Sequence, residues 1–332
     1  MAMNEKMLDR IHTNVGKVLF VVAMGRDLTK LEVKARASLS MSTVISAVDR
    51  LTAQELVTFE EERGPRGGKM RSVINVHPMR RVCGVSYKSG VLTALMADLK
   101  GAPRETLSQE AEEDPARSVL SLLLALFDRA PKPSSIALSL NCENKEALLK
   151  SLEDRFGIPV LSATNTAAIA YLSLWKGAAL PIAAVGVGNA IKCAFLGAND
   201  CRNIDLGGLP ASAILTEQRT LRSVLSAVTV EETLRRSDYR GQYYMREGCP
   251  AEVKDLATYS RSLSKELASL VDTVQTILAP QDLVLFGDYL SEAFFQRIRE
   301  DARVSDPVYF APERADFAEG TALFALTERF FN

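Results

Sequence analysis

Short hydroxyl side chains and one arginine share a face of the segment 40–51, a composition suited to contacting phosphates and base edges. Read as a helix, this segment places four polar residues on that face: Ser42, Thr43, Ser46 and Arg50. The opposite face is apolar and would pack against neighbouring helices: Val44, Ala47, Val48 and Leu51. A solvated polar face on an ordinary helix is the alternative interpretation of this segment.

A basic, glycine-rich turn follows the segment. It joins two alternating β-type runs, 56–61 and 71–76, and reads Arg63-Gly64-Pro65-Arg66-Gly67-Gly68-Lys69. Glycines let a loop lie flat against a groove, and basic side chains bind phosphates or a narrow minor groove. The pattern predicts nucleic-acid contacts from Arg66, Gly67, Lys69 and Arg71. A basic tip unconnected with nucleic acid is the alternative.

The elements that must position these residues are also visible. Residues 11–24 have the apolar spacing of an amphipathic helix, and Thr29 to Glu32 has the S/T-x-x-E form of a capping box for a helix ending near Ala37. Ser40 is a predicted N-cap and a further predicted DNA contact. Two short helices, a tight turn and a hairpin predict a winged helix–turn–helix domain over residues 1–80.

Composition narrows the functions of the remaining chain. Residues 1–80 carry 13 Lys and Arg against 9 Asp and Glu, whereas the whole 332-residue chain has a formal net charge of −1. Both histidines, His12 and His77, precede residue 81, so no histidine is available to residues 81–332 for acid–base catalysis or metal binding. The five cysteines form no C-x-x-C pair. No apolar run reaches the roughly 20 residues of a membrane span, so we expect a cytoplasmic protein.

Beyond residue 80 the pattern predicts two α/β lobes. Three strands, a helix at 118–129, a strand at 135–140, a helix at 145–156, a strand at 158–162 and a helix at 167–176 form the first series. A second series runs through strands at 182–187, 190–196, 282–288 and 308–311 and helices at 214–236, 255–278, 291–302 and 315–331. The first series opens with the βββαβα order of an actin-like, ribonuclease-H-like lobe.

At this point the chain resembles the ROK family of repressors, open reading frames and sugar kinases, and is most similar to its repressor branch, the regulators of xylose and N-acetylglucosamine genes. The stretch from Cys83 to Gly101 is similar to the family's opening hairpin, and the stretch from Ile158 to Ala178 to its V-x-x-x-N-D-A and W-x-G-A pattern. Leu283 to Gly287 and Glu319 to Ala322 resemble its C-terminal motifs. The order and spacing of these stretches carry the resemblance across nearly the whole chain.

The departures from the kinase motifs are as informative as the matches. Where ROK kinases have an Asp-x-Gly-Gly-Thr phosphate loop, this chain has Ser86 to Gly90, and where they have Asn-Asp-Ala with a catalytic Asp, it has Asn165-Thr166-Ala167. A threonine hydroxyl cannot act as a base at neutral pH. The second glycine turn is reduced to 186–190, the Glu-x-Gly-His sugar contact becomes 205–208 without its histidine, and the ligands of the family's zinc site are missing.

The resemblance and these departures together imply a DNA-binding transcription regulator, a repressor, with a catalytically inactive kinase-like body. We expect double-stranded operator DNA as partner, a homodimer or homotetramer, no catalytic residue, no cofactor, no metal and no membrane. The expected domains are 1–80, a first lobe at 81–180 completed by 315–332, and a second lobe at 181–314. Asn165 and Asp205 are the candidate contacts to a sugar-like effector. The alternatives are a sugar kinase with an N-terminal extension and a non-catalytic scaffold protein.

Overall fold

The fold was obtained as a computed structural model. It describes residues 5–63, 70–112, 115–140, 142, 144–188, 190–209, 220, 221, 225, 230, 254–287, 290–303, 307–309 and 312–332. The chain divides into two compact units: Met1–Gly177 together with Arg314–Asn332, and Ala178–Glu313. The predicted boundary at residue 80 falls inside the first unit and stays a prediction.

Four helices open the first unit. They are α1 (Glu5–Arg10), α2 (Asn14–Met24), α3 (Lys30–Ala37) and α4 (Met41–Ala53). The expected capping box is present, because the Thr29 hydroxyl accepts from Glu32 N while the Glu32 carboxylate accepts from Thr29 N at 2.8 Å. Ser40 caps α4 as predicted. Helix α1 was not predicted.

Helix α2 departs from the amphipathic helix predicted for residues 11–24. It begins only at Asn14, because the Thr13 hydroxyl caps it by accepting from Gly16 N at 3.0 Å. Its second half is buried on every side, from Val18 to Ala23. The prediction of one apolar face was wrong because α2 packs on α3 and α4 with one side and on the C-terminal segment with another.

An antiparallel hairpin follows α4. Its strands are β1 (Val57–Arg63) and β2 (Met70–Val76), paired from Val57↔Val76 to Arg63↔Met70. Leu28, between α2 and α3, adds a bridge to this hairpin, since its carbonyl accepts from Ile74 N at 2.7 Å. The hairpin is thereby tied to the loop between the helices as well as to the end of α4.

The rest of the first unit is a five-stranded sheet with helices. Its strands are β3 (Arg81–Lys88), β4 (Val91–Asp98), β5 (Pro103–Glu110), β6 (Ser135–Ser139) and β7 (Val160–Ser162), in the order β5-β4-β3-β6-β7. Its helices are α5 (Pro115–Phe127), α6 (Lys145–Phe156) and α7 (Asn165–Trp175). Strands β3, β6 and β7 run parallel. Strand β4 pairs antiparallel with β3 on one side and with β5 on the other. The exposed, polar β5 forms one edge.

The second unit is built in the same manner. Its strands are β8 (Ile182–Val187), β9 (Ile191–Leu196), β10 (Cys201–Asp205), β11 (Asp282–Gly287) and β12 (Val308–Tyr309), in the order β10-β9-β8-β11-β12. Its long helices are α8 (Lys254–Leu278) and α9 (Glu292–Asp301). The predicted helix at 214–236 lies mostly outside the described residues. Among those described, no helix is long and apolar enough to cross a membrane.

The C-terminal segment returns to the first unit. It consists of α10 (Arg314–Leu326), which contacts β3, β4, β6 and α7, and of a π-helical turn at Thr327–Phe331. An added Cβ at Gly84 would lie 2.2 Å from the carbonyl oxygen of Ala318, so glycine lets α10 lie directly on the sheet. The single α-helix predicted for 315–331 ends early, at Leu326, and the π-helical turn that follows contacts α2.

Candidate nucleic-acid interface

The hydroxyl residues predicted to contact nucleic acid meet at the start of α4. The Ser40 hydroxyl accepts from Thr43 N at 3.1 Å and lies 2.9 Å from the Ser42 hydroxyl and 2.8 Å from the Thr43 hydroxyl. Ser40, Ser42 and Ser46 are exposed, and Thr43 is half-buried. The first turns of α4 thus present to solvent several hydroxyl groups that can each donate or accept a hydrogen bond.

The apolar face of α4 fixes the orientation of that hydroxyl surface. Val44 and Val48 are fully buried, and Leu51 is nearly so. Each buried side chain of this size contributes about 1.5–3 kcal/mol. The turn between α3 and α4 is tight, because Ser38 adopts a left-handed conformation (φ 54°) and its N–H caps α3 at Lys34 O. Rotation of α4 would expose this face, so its polar side is held outward.

Arg71 is the one predicted contact of the hairpin that lies among the described residues; Arg66, Gly67 and Lys69 lie outside them. Arg71 is exposed and faces Glu62 across the hairpin. The hydrogen bond from Thr29 N chiefly lowers the pKa of Glu32, and Arg71 lowers it further. The Asn75 amide likewise lowers the pKa of Asp27, with smaller effects from Arg26 and Arg71. Arg71 therefore has acidic neighbours within its own fold.

Two exposed basic residues of α3, Lys34 and Arg36, were not among the predicted contacts. The first helix of a helix–turn–helix crosses the DNA backbone, so these side chains belong to the same candidate surface. The basic residues of the segment 30–36 were the available signal. Glu60 and Glu61 are exposed on β1, so that strand presents negative charge instead.

Arg50 lies on the predicted face but at a distance from the serines. Eight residues separate it from Ser42, which is about 12 Å along a helix. It is exposed and lines a cleft whose walls also include Arg80 and Arg329. The structure therefore brings Ser40, Ser42 and Thr43 together, with Ser46 about one helical turn and Arg50 about two turns beyond Ser42.

The two candidate effector contacts lie in different compact units. Asn165 begins α7 in the first unit, where its side-chain oxygen accepts from the Ser139 hydroxyl at 2.6 Å. Ser139 and Ser86 are neighbours on parallel strands, and the buried Ser86 hydroxyl has no hydrogen-bond partner among the described residues. Asp205 ends β10 in the second unit and accepts from Gly207 N at 2.8 Å.

Thr166, which the sequence resemblance aligns with the catalytic Asp of the kinases, is buried. Its hydroxyl lies 3.0 Å from that of Thr164, the residue that caps α7. Among the described residues, no group of three or more His, Cys, Asp or Glu side chains could hold a metal ion. Burial raises the pKa of the Cys83 and Cys193 thiols to about 12, so neither is a thiolate nucleophile near neutral pH.

Comparison with known proteins establishes the fold. No protein-family model and no curated protein match the sequence. A solved structure of a ROK family transcriptional regulator, a homologue of the Escherichia coli Mlc protein, is similar with a TM-score of 0.72 at 13% identity, over 97% of this chain and 96% of that one. A ROK hexokinase from Thermus thermophilus matches with a TM-score of 0.61 at 14% identity, over 75% of this chain and 99% of that one.

A ROK family glucokinase from Streptomyces griseus, solved with glucose and AMPPNP, has a TM-score of 0.57 at 12% identity and covers 74% of this chain and 99% of its own. The structural neighbours are thus ROK family proteins, both regulator and kinase, as the sequence resemblance implied. The kinases leave about a quarter of this chain unmatched, which is the length of residues 1–80, and the regulator covers almost all of it.

Proposed function

We propose that this protein is a sequence-specific DNA-binding transcription regulator of the ROK repressor type. The observation that carries the proposal is the exposed hydroxyl surface at the start of α4, supported by the buried side of that helix and followed by a basic hairpin. Residues 1–80 form its winged helix–turn–helix domain. The lobes at 81–180 with 315–332 and at 181–314 form the body.

The arrangement matches the way helix–turn–helix proteins bind DNA. The first turns of the second helix enter the major groove, where Ser42, Thr43 and Ser46 are short enough to allow close approach to base edges and phosphates. Arg66, Gly67, Lys69 and Arg71 of the hairpin supply backbone and minor-groove contacts. Ser40 and Arg50 complete the set of proposed contacts. Lys34 and Arg36 add phosphate contacts from α3.

The body is proposed to act in oligomerisation and sensing. Two DNA-binding domains on a two-fold axis read two half-sites, which multiplies the discrimination of one. A homodimer or homotetramer is therefore the proposed assembly, with double-stranded operator DNA as its partner. The similarity to the regulator over 97% of the chain supports the proposed role in transcription.

A sugar-like effector is proposed to bind beside Asn165. The observation that favours a ligand there is the buried Ser86 hydroxyl, which no described residue hydrogen-bonds, since buried polar groups are ordinarily hydrogen-bonded. Ser139 at the end of β6 and Asn165 at the start of α7 can both offer hydrogen bonds to a sugar hydroxyl. Asp205, the other predicted effector contact, belongs to the second unit and stays a separate prediction.

Sugar phosphorylation is the second candidate function, favoured by the similarity to ROK kinases. Against it, Thr166 stands where a general base is needed and Ser86 to Gly90 lacks the paired glycines of a phosphate loop. A coupled assay with ATP across hexoses and N-acetylhexosamines tests it. We expect no turnover above background, and measurable turnover would replace the regulator proposal.

The DNA proposal is tested by selecting bound sequences from a random duplex library with the full-length protein. We expect a two-fold symmetric motif, and binding to that motif should weaken steeply and log-linearly with salt. A scaffold protein would enrich no motif and would show no such salt dependence. The DNA adjacent to its own gene is the first natural fragment to test against the selected motif.

A further inference from the structure

A cleft of about 490 Å³ opens inside the first compact unit, away from the hydroxyl surface of α4. Its walls come from the start of α2, the end of α4, the residues flanking the hairpin, the approach to β6 and the C-terminal segment. It therefore lies where the proposed DNA-binding domain meets the first lobe. No residue of the cleft belongs to the proposed effector site at Asn165.

Three arginines line this cleft: Arg50, Arg80 and Arg329. No Asp or Glu side chain is among the described residues that line it. The side chains of Arg50 and Arg329 are exposed and form no hydrogen bond or ion pair with other described residues. Asn332 also lines the cleft, and a carboxylate at that residue would offset one of the three charges.

Arg80 is already held in place. Its guanidinium donates to the Glu55 carboxylate at 2.6 Å and to the carbonyl oxygens of Glu55 at 3.2 Å and Gln54 at 3.5 Å. The Glu55 side chain is 73% exposed, so solvent screens its ion pair with Arg80. A positioned arginine loses less conformational freedom when it binds an anion.

The chemistry of the walls indicates the class of ligand. Guanidinium groups bind phosphate through paired, charge-assisted hydrogen bonds. Apolar side chains (Val15, Leu51, Leu56 and Phe330) and the polar Thr13 and Ser134 line the same cleft. Its volume falls within the range of small-molecule sites, and a bare ion would leave most of it empty.

We propose that this cleft binds a small phosphorylated molecule and that its occupation weakens DNA binding. The second half of the proposal rests on the proposed function. A ligand held between Arg50 and Arg329 joins the last turns of α4 to the C-terminal segment. It also removes Arg50 from contact with DNA phosphates, so ligand and DNA compete for one side chain and each lowers the affinity of the other by the same factor.

The first experiment measures ligand binding without DNA. Full-length protein is titrated with inorganic phosphate and with glucose 6-phosphate at constant ionic strength, by calorimetry and thermal shift. Wild type should bind the phosphomonoester and melt at a higher temperature. Arg329→Ala should weaken binding about tenfold or more, whereas Arg129→Ala, an exposed arginine on the first lobe, should not. Equal binding by the two variants, or none by wild type, would overturn the proposal.

Arg329→Lys is the second variant, because it keeps the charge and loses the paired donors. It should recover part of the affinity lost in Arg329→Ala. Arg50→Lys is measured as a second lysine variant. Circular dichroism spectra of all variants should match that of the wild type, and a variant whose spectrum differs is left out of the comparison. If neither lysine variant differs from wild type, the guanidinium geometry is not used and the site is not the one proposed.

The second experiment separates a free phosphate from a DNA phosphate. Glucose 6-phosphate should weaken binding of the selected DNA motif in wild type and not in Arg329→Ala. If Arg329→Ala instead lowers the salt dependence by about one phosphate contact, the cleft receives the DNA backbone and the proposal fails. If no DNA binds but the phosphomonoester does, the proposed function fails while the ligand site stands.

Discussion

The guanidinium of Arg10 donates to the Glu328 carboxylate at 2.8 Å, although 318 residues separate the two in the chain. Arg10 also donates to the Tyr171 hydroxyl at 2.6 Å, and that hydroxyl donates to the same carboxylate oxygen. Three elements, α1, α7 and the C-terminal π-turn, therefore meet at one network. It fastens the start of the chain to the first lobe.

Burial of Arg10 opposes its charge, and the network compensates. Desolvation lowers the pKa of Arg10, but Tyr171 and Glu328 together raise it, so that the net pKa lies above its ordinary value. Arg10 stays protonated throughout the accessible pH range in either state, so this network makes no pH-dependent contribution through Arg10.

Arg10→Met should lower the free energy of unfolding by about 3 kcal/mol, because it leaves the Tyr171 and Glu328 groups without their cation. Glu328 is 31% exposed, which keeps the loss at the lower end of the range for a broken buried pair. Urea unfolding measures it. Arg26→Met is the matched control, since that side chain is 91% exposed and the change should stay within about 0.5 kcal/mol. Equal effects would show that the network contributes nothing measurable.

A second connection joins α2 to the same segment. Phe331 packs edge-on to Phe20 at 5.3 Å between ring centroids and stacks on Trp175 at 6.2 Å. Gly16 lets the chains approach this closely, because a Cβ there would lie 1.8 Å from the Phe331 carbonyl oxygen. The central helix of the proposed DNA-binding domain is therefore seated on the C-terminal turn.

Gly16→Ala should be destabilising despite the higher helix propensity of alanine. Backbone must shift to admit the methyl group, and overpacking of this kind costs about 1–3 kcal/mol. Thermal unfolding of the full-length protein measures it. Gly208→Ala is the control, because no atom of the described residues lies within 4 Å of a Cβ at Gly208. A Gly16→Ala variant as stable as wild type would mean that α2 and Phe331 do not approach so closely.

Local patterns predicted the elements of this protein well. The Thr29 capping box, the Ser40 cap and the buried side of α4 each depend on residues within one or two turns, so the sequence displays them directly. The succession of strands and helices in the first lobe was likewise predicted from local patterns. Such features need no knowledge of distant contacts.

Features that depend on distant contacts were missed. Arg10, Tyr171 and Glu328 have no shared local pattern, and a charged residue near a chain start is ordinarily expected at the surface. The second buried side of α2 exists only because Phe331 arrives from the other end of the chain. The surroundings of Arg50 were not predicted for the same reason. Periodicity assigned its helical face but could not show that Arg80 and Arg329 line the same cleft.

The capping box at Thr29 gives a pH-dependent prediction. The pKa of Glu32 is lowered in the folded state from an ordinary 4.5, chiefly by the hydrogen bond from Thr29 N. Its contribution to stability is therefore fully present above pH 4.5 and is lost as pH falls through the lowered pKa. Glu32→Ala should cost about 1 kcal/mol near neutral pH. In acid the difference from wild type should shrink toward zero.

Urea unfolding of both proteins across this pH range measures the difference. Glu61→Ala, at an exposed position of β1, is the control. Its effect should be small at every pH. Glu153→Ala would be unsuitable, because the Glu153 carboxylate accepts a hydrogen bond from Val160 N. A Glu32→Ala deficit that persists unchanged in acid would contradict the capping role.

Charge at the start of α4 gives the sharpest test of the DNA surface. Ser46 is exposed, so Ser46→Glu should leave the unfolding free energy within about 0.5 kcal/mol of wild type. If this face enters the major groove, a carboxylate there faces phosphates and base edges, and affinity for the selected DNA motif should fall about a hundredfold or more. Fluorescence anisotropy at fixed salt measures the affinity. Ser151→Glu, the same change at an exposed position of α6, should bind DNA as wild type does. If both variants lose the same affinity, the effect is one of net charge. If neither loses affinity, α4 is not the recognition helix.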